Sequence, residues 1–504
     1  MSSVQERFQL TAVRVFSFAV CFLISATANA SPSITLSKKS GPPTSPILVS
    51  GCGFEPNVGV DIYFDRKDEA LVVTNSKGEF HGAKVHAPRS ARPGEHWVTA
   101  LERNNDKGAQ RPFLVQTNWS QFGFDPYGTR WNPYENVLTR ENVGNLDLKW
   151  SYATGGAILG SPAVVNGVVY IPSYDSKLYA LDATTGAKLW TYTTGSYSNY
   201  PVAVADGVVY LPSGDYNLYA LNARTGAKLW SYTTGGEVWS AAVVTGGVVY
   251  FGSLDGNLYA LNARTGAELW SYNSGGGAPQ VAVANGIAYV PSGRGYLYAL
   301  NAMTGQELWG IPVNTAGLSS PAIANGVVYS GGEGPSVSVY GVNASNGAIL
   351  WENGVCGETL QASPAVADGV VYVYCDNNVL YALNADTGGV LWQYDTGRNG
   401  DAPVFSPAVA SGVVYGRLGP YSVGALDARD GSVLWSYFSD SWFSDPVVAN
   451  GVVYVSSIDS NIYAFSLKHS LPEGGSVLNR PDLTTLRPDF GLKASTPVTI
   501  DRSP

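Results

Sequence analysis

Histidine is missing from the longest part of this chain. Only 4 of the 504 residues are His, and His81, His86, His96 and His469 leave none between residues 150 and 467. The gap excludes a Ser-His-Asp triad, a His-ligated zinc and a Cys-x-x-Cys-His haem site from that stretch. The three histidines at 81, 86 and 96 read as ordinary strand or surface residues, and no metal site is expected. Charge is scarce as well, at 14% of residues. Residues 150–467 hold 9 Lys or Arg against 21 Asp or Glu, an excess of 12 negative charges that disfavours nucleic acid as a partner. No phosphate-binding fingerprint follows a strand, because Gly-rich runs such as Gly275-Gly276-Gly277 fall between strands and read as turns. Long apolar runs are absent apart from residues 15–24, which are too few to span a membrane comfortably. With Arg7 and Arg14 before that run and Ala28-Asn29-Ala30 after it, residues 1–30 read as a secretory signal cleaved before Ser31. The expectation is an exported protein, periplasmic or extracellular, with no transmembrane segment.

What the chain does have is regularity. Trp150, Trp190, Trp230, Trp270, Trp309, Trp351, Trp392 and Trp435 are spaced by 40, 40, 40, 39, 42, 41 and 43 residues. A period near 40 that reads as four short strands is the mark of a β-propeller blade. In one repeat, Pro201-Val202-Ala203-Val204, Gly207-Val208-Val209-Tyr210, residues 218–223 and Leu229-Trp230-Ser231-Tyr232 are the strands. Asn222 to Gly226 closes the hairpin between the last two. The Gly-Val-Val-Tyr element recurs eight times from Gly167 to Gly451, once as Gly-Ile-Ala-Tyr at Gly286, and the last copy has no Leu-Trp strand after it. An unclaimed Leu148-Lys149-Trp150 strand precedes the first copy. The simplest closure pairs the two, so that no edge strand stays open. The fold expected is all-β, an eight-bladed propeller over residues 146–467 closed by its N-terminal strand. Asp175, Asp215, Asp255 and Asp459 share one repeat position and are read as turn residues.

The flanks differ. Residues 31–117 carry 11 Lys or Arg and 9 Asp or Glu, with strands at 47–50, 60–64, 70–73 and 96–100. About seven short strands there predict a small β-sandwich. Residues 118–145 read as a linker. Residues 468–504, with Pro472, Pro481, Pro488, Pro497 and Pro504, read as a disordered or surface-hugging tail. Cys356 and Cys375 fall in loops that open on one face of the ring, which permits a disulfide in an oxidising compartment, and Cys52 is then single.

The run Gly51-Cys52-Gly53-Phe54-Glu55-Pro56-Asn57 resembles the opening of IPT/TIG-type immunoglobulin-like modules. The resemblance implies a spacer or docking unit. The repeat Ala-Leu-Asn-Ala-x-Thr-Gly-x-x-Leu-Trp is similar to the PQQ-like repeat of the quinoprotein alcohol dehydrogenase superfamily. Trp119, Thr129-Arg130, Asn142-Val143, Leu146 and Trp150 resemble the opening of those enzymes. The repeat also builds cofactor-free, BamB-like outer-membrane assembly propellers. The dehydrogenases imply a quinone stacked between a Trp and a disulfide of adjacent cysteines, with calcium and an Asp base. Here no two cysteines are adjacent, and the Trp spacing never exceeds 43, which leaves no room for long inserts. Residues that break the repeat are the best contact candidates. They lie in loops entering the inner strands: Tyr197, Tyr200, Glu237, Trp239, Gln280, Glu358, Gln361, Arg398, Asp401, Phe405, Trp442 and Phe443. They suit a protein or cell-envelope partner, or else plug the channel mouth. The leading expectation is a monomeric, non-enzymatic scaffold without a cofactor. The alternative is a PQQ- and calcium-dependent alcohol dehydrogenase, and the third reading is a glycan-binding propeller.

Overall fold

The structure, a computed structural model, describes residues 31–105, 107–313, 319–331, 333–359, 362–397, 405–468, 482, 483 and 486; at 333–337 and 357–359 it describes the backbone alone. The expected signal at 1–30 and most of the tail lie outside these residues. The chain forms two compact units, residues 1–115 with 473–504, and residues 116–472.

The first unit has a three-stranded and a five-stranded sheet that share one apolar core, with Ile47, Val49 and Val85 from one and Ile62, Val98 and Phe113 from the other. His96 is buried in this unit, its Nδ1 2.7 Å from an Asp65 oxygen and its Nε2 2.8 Å from the Arg92 carbonyl. Burial lowers its pKa, but those two bonds more than offset it, and the net shift is upward. Of the tail, Leu483 and Leu486 pack against Tyr63 and Leu101 of the same unit.

The second unit contains eight sheets: seven have four antiparallel strands, and the eighth adds a short parallel fifth strand, Trp131–Asn132, beside Ala408–Ala410. Blade 1 is Ala163–Val165, Val168–Ser173, Lys177–Asp182 and Lys188–Thr193. Blades 2 to 7 repeat this order over residues 203–233, 243–273, 282–312, 322–359, 365–395 and 408–438. Blade 8 joins Val447–Ala449, Val452–Ser456 and Asn461–Leu467 to the N-terminal strand Leu146–Ala153, which pairs antiparallel with Asn461–Leu467. Burial falls from the inside out. Inner strands such as Ala365–Ala367 are buried throughout, whereas outer strands such as Lys228–Thr233 alternate exposed and half-buried residues. That gradient is why the inner strands read Ala-Val-Ala and the outer ones carry Lys, Glu, Ser and Thr.

The tryptophans lock each blade to the next. The indole N–H of Trp190 donates to the Ala223 carbonyl at 3.1 Å. Equivalent bonds run from Trp150 to Ala183, Trp230 to Ala263, Trp270 to Ala302, Trp309 to Ala344, Trp351 to Ala385 and Trp392 to Ala428. The circuit closes where Trp435 donates to the Leu146 carbonyl at 3.1 Å, across the junction of the chain's two ends of the ring. The same indoles cover the hairpin glycines. A Cβ on Gly226, at φ +73°, would stand 2.7 Å from the Trp190 ring. The glycine therefore supplies both the left-handed turn and the space that a buried indole needs. Asn222 accepts the amides of Arg224 and Thr225 and shapes that turn.

Residues 118–145 are not a linker. They belong to the second unit, and residues 119–132 hydrogen-bond to its inner strands. The reading failed because a strap held mainly through its backbone leaves little pattern in its side chains.

Candidate functional site

The strap visits every blade in order. Trp119 exchanges two backbone bonds of 2.8 Å with Val164 in blade 1. The amides of Val204, Val283, Ile323, Val366 and Val409 then donate to the carbonyls of Ser120, Pro126, Tyr127, Thr129 and Arg130 at 2.7–2.9 Å. In blade 3 the Val244 amide uses the Gln121 side chain instead, and in blade 8 Asn132 Nδ2 donates to the Val448 carbonyl at 2.8 Å. Inner strands are sheet edges, and the strap satisfies groups that would otherwise face the axis unpaired. Gly128, at φ +72°, is obligatory there, since a Cβ would stand 2.4 Å from the Pro321 carbonyl oxygen.

Arg130 is fully buried at the strap's end. Its guanidinium donates to the carbonyls of Pro407, Phe122, Ser406 and Pro446 at 2.7–3.3 Å and lies 4.5 Å from the Phe122 ring centre. The nearest carboxylate is Asp445, 3.9 Å away. Burial pulls the Arg130 pKa down and pushes that of Asp445 up, while their mutual attraction opposes both shifts. Glu135, also buried, accepts the amides of Val137, Leu138 and Gly451.

Beyond the strap opens a cavity of about 620 Å³. Its walls include Asp125, Tyr127, Thr129, Trp131 and Pro133; residues 125–128 form a turn closed by the Gly128 amide on the Asp125 carbonyl at 3.1 Å, and Trp131–Asn132 is a short strand. Arg130 and Asn132, at the intervening positions, are buried. The facing wall carries Asn285, Asn325 and Asp368 from the turns between the first and second strands of blades 4, 5 and 6. Burial raises the Asp125 carboxyl to about 6 against the opposing hydrogen bonds from Thr129.

The loops that enter the inner strands make a second feature. Tyr197 stacks on Tyr174 at 5.3 Å and donates to Glu237 at 2.8 Å, while Tyr200 packs on Trp239 at 5.8 Å. Burial, then the Glu237 carboxylate, raises the Tyr197 pKa. Four of the sequence candidates thus form one partly exposed aromatic and acidic cluster, together with Tyr174, which the sequence reading did not single out.

Three other candidates need correction as contact residues. Gln280 is buried and bridges blades, bonding to the Ala241 amide, the Trp239 carbonyl and Ser320. Phe405 is buried, and Phe443 packs between Tyr437 and Tyr463. An aromatic group at a loop root is drawn into the core because burial there removes more apolar surface from water than exposure at the rim. Trp442 stays half-buried. The Glu358 side chain and Gln361, Arg398 and Asp401 lie outside the described residues.

The repeated aspartates are hubs within blades. Asp175, Asp215 and Asp255 each accept a preceding glycine amide and the hydroxyl of the tyrosine four residues on, and Asp459 accepts Tyr463. Cys356 and Cys375 are joined by a disulfide, with 4.8 Å between their Cα atoms. Among the described residues no three His, Cys, Asp or Glu side chains cluster as metal ligands would, and no helix is long and apolar enough to cross a membrane.

The family described as outer membrane protein assembly factor BamB, a PQQ-repeat family, matches residues 139–277, 194–317, 254–340 and 334–473. These stretches overlap and together cover more than half of the chain. The chain belongs to this family. Among curated proteins it is 40% identical over 74 residues to the dehydrogenase subunit of an alcohol dehydrogenase (quinone) from Gluconobacter oxydans, covering 14% of this chain and 10% of that protein. It is 38% identical over 73 residues to a quinoprotein ethanol dehydrogenase from Pseudomonas aeruginosa, covering 14% of this chain and 12% of that one. The chain thus spans about a tenth of the length of the curated relatives it matches. Among solved structures, a quinohemoprotein alcohol dehydrogenase from Pseudomonas putida HK5 aligns with a TM-score of 0.59 at 18% identity, over 71% of this chain and 81% of that one. BamB from Moraxella catarrhalis aligns with a TM-score of 0.56 at 19% identity, over 65% of this chain and 99% of that one. At these identities the structural likeness is one of fold.

Proposed function

We propose that this chain is an exported, monomeric, non-enzymatic propeller scaffold for protein or cell-envelope contacts, with the N-terminal two-sheet unit, read as immunoglobulin-like, as a docking arm. The observation that carries the reading is the partly exposed cluster in which Tyr197, Tyr200, Glu237 and Trp239 of two neighbouring entry loops meet Tyr174 of the blade 1 hairpin. Large aromatics with a polar handle are the residues that anchor protein interfaces. The family match to a description of outer-membrane assembly supports the same reading.

The second reading, a PQQ- and calcium-dependent alcohol dehydrogenase, is favoured by the short stretches of identity to quinone alcohol dehydrogenases. The residues present do not fit that cofactor well. The disulfide joins cysteines 19 positions apart instead of neighbours, and no acidic cluster suited to calcium forms among the described residues. A glycan-binding propeller would repeat one polar and aromatic pocket in every blade, and the entry loops diverge instead.

The test is to add PQQ and calcium to the purified full chain. The scaffold reading expects no bound-quinone absorption band and no dye-linked alcohol oxidation. Both signals together would overturn it.

A further inference from the structure

The turn between the first and second strands of each blade holds one residue at a left-handed φ of about +50° to +60°, followed by glycine. In chain order these residues are Asn166, Asp206, Gly246, Asn285, Asn325, Asp368, Ser411 and Asn450. In three consecutive blades the position grips the chain's own segment. Ser411 Oγ donates to the Glu135 carbonyl at 2.6 Å. Asn450 holds Thr117 by its backbone, accepting the Thr117 amide at 2.7 Å and donating to its carbonyl at 2.9 Å. Asn166 accepts Gln116 Nε2, and its amide donates to Asn118. The paired side-chain bonds of Asn450 go to the Thr117 backbone, and its own amide adds a bond to the Thr117 hydroxyl at 3.1 Å.

On the other side of the ring the same position is unused. Asn285 and Asn325 have no side-chain hydrogen bond among the described residues, and with Asp368 they are exposed on one wall of the 620 Å³ cavity. The other wall presents Tyr127, Trp131 and Thr129. We infer that this cavity is a docking groove for an extended segment of another polypeptide, its backbone held by Asn285 and Asn325 as Asn450 holds Thr117, and its side chains packed on Tyr127 and Trp131. The inference rests on the scaffold reading and names the chemistry of its partner. The occupant is a peptide because the one guest that this turn position is seen to hold in this way is a peptide backbone. Recognition of an extended chain through main-chain bonds and alternate side-chain pockets is a general mode.

The test uses the full chain and a display library of random linear nine-residue peptides. Enriched peptides are then measured by fluorescence anisotropy against the wild type, N285D/N325D and W131A. Aspartate keeps the turn, since Asp206 and Asp368 already occupy it at φ +48° and +49°. It removes the donor and sets a carboxylate against the peptide carbonyl. The expected result is peptides that bind the wild type and lose about tenfold or more in N285D/N325D, with the thermal midpoint unchanged, and that also weaken in W131A. The proposal is overturned if no peptide enriches, if the enriched peptides bind N285D/N325D as well as the wild type, or if peptidoglycan fragments bind the groove and displace them. Failure here is separable from failure of the scaffold reading. Quinone binding with alcohol oxidation would sink that reading while peptide binding stood, and loss of peptide binding alone would leave it intact.

Discussion

Blade 2 and the strap meet at one inner strand, yet they are held by opposite kinds of bond. The blade is fixed by a device used around the ring, an indole that covers the next blade's hairpin glycine and donates to a carbonyl there. The strap is fixed through its own backbone at blades 1, 2 and 4 to 7, and elsewhere by side chains that occur once, Gln121 at blade 3, Asn132 at blade 8 and above all Arg130. Repetition builds a ring that tolerates small defects, because each lock is one of eight. The strap has no redundancy of that kind, and its loss touches every blade. The difference also divides the surfaces. Where the turns grip the strap's flanks the rim is filled, and at blades 4 to 6 it is open.

Breaking the strap should cost most. R130M leaves the carbonyls of Pro407, Ser406, Pro446 and Phe122 and the Asp445 carboxylate without their cation. A loss of about 3–5 kcal/mol is expected, read from urea midpoints. Cutting the disulfide with C356S/C375S, whose sequence separation is 19, should cost about 3 kcal/mol by the same measurement. Within the repeat, two glycine variants separate packing from backbone strain. G226A drives a methyl to 2.7 Å from Trp190, whereas G207A, at φ +78°, meets nothing within 4 Å. The first should lose about 2 kcal/mol and the second about 1 kcal/mol. Equal losses would mean that the indole does not rest on its glycine.

The smallest effect concerns pH. Asp125 has a carboxyl raised from 3.8 to about 6, so the folded strap binds its proton more tightly than the unfolded chain does. The stability this group contributes is present at acid pH and is lost as pH rises from about 4 to about 6. D125N should remove that slope and leave the remainder of the pH profile intact. His96 acts the same way in the N-terminal unit. Its raised pKa contributes stability below 6.5 that fades as pH climbs through the folded value, a trend that H96N should abolish.

The ring was legible in the sequence for a physical reason. Each blade needs an indole and a buried second strand, and the seven blades closed by a hairpin need its glycine; each need selects a residue type at a fixed spacing. Trp150 before the first repeat and residues 461–467 after the last announced the closing pair. The strap was not legible, because amides and carbonyls are common to every residue. Its turns and its left-handed residues Gly128 and Arg130 follow no repeat that a sequence pattern could reveal. The contact candidates were partly legible. Tyr197, Tyr200, Glu237 and Trp239 come together, but Gln280, Phe405 and Phe443 broke the repeat for packing, and sequence irregularity does not distinguish a surface from an irregular piece of core.

The lacing of all eight blades by one segment is tested most directly by amide hydrogen exchange. The amides of Val164, Val204, Val244, Val283, Ile323, Val366 and Val409 donate to the strap. In the intact chain all seven should exchange slowly and to a similar extent, and in R130M their protection should fall together. Rapid exchange of these amides in the intact chain, or loss confined to the blades that touch Arg130, would contradict a strap that holds the whole ring.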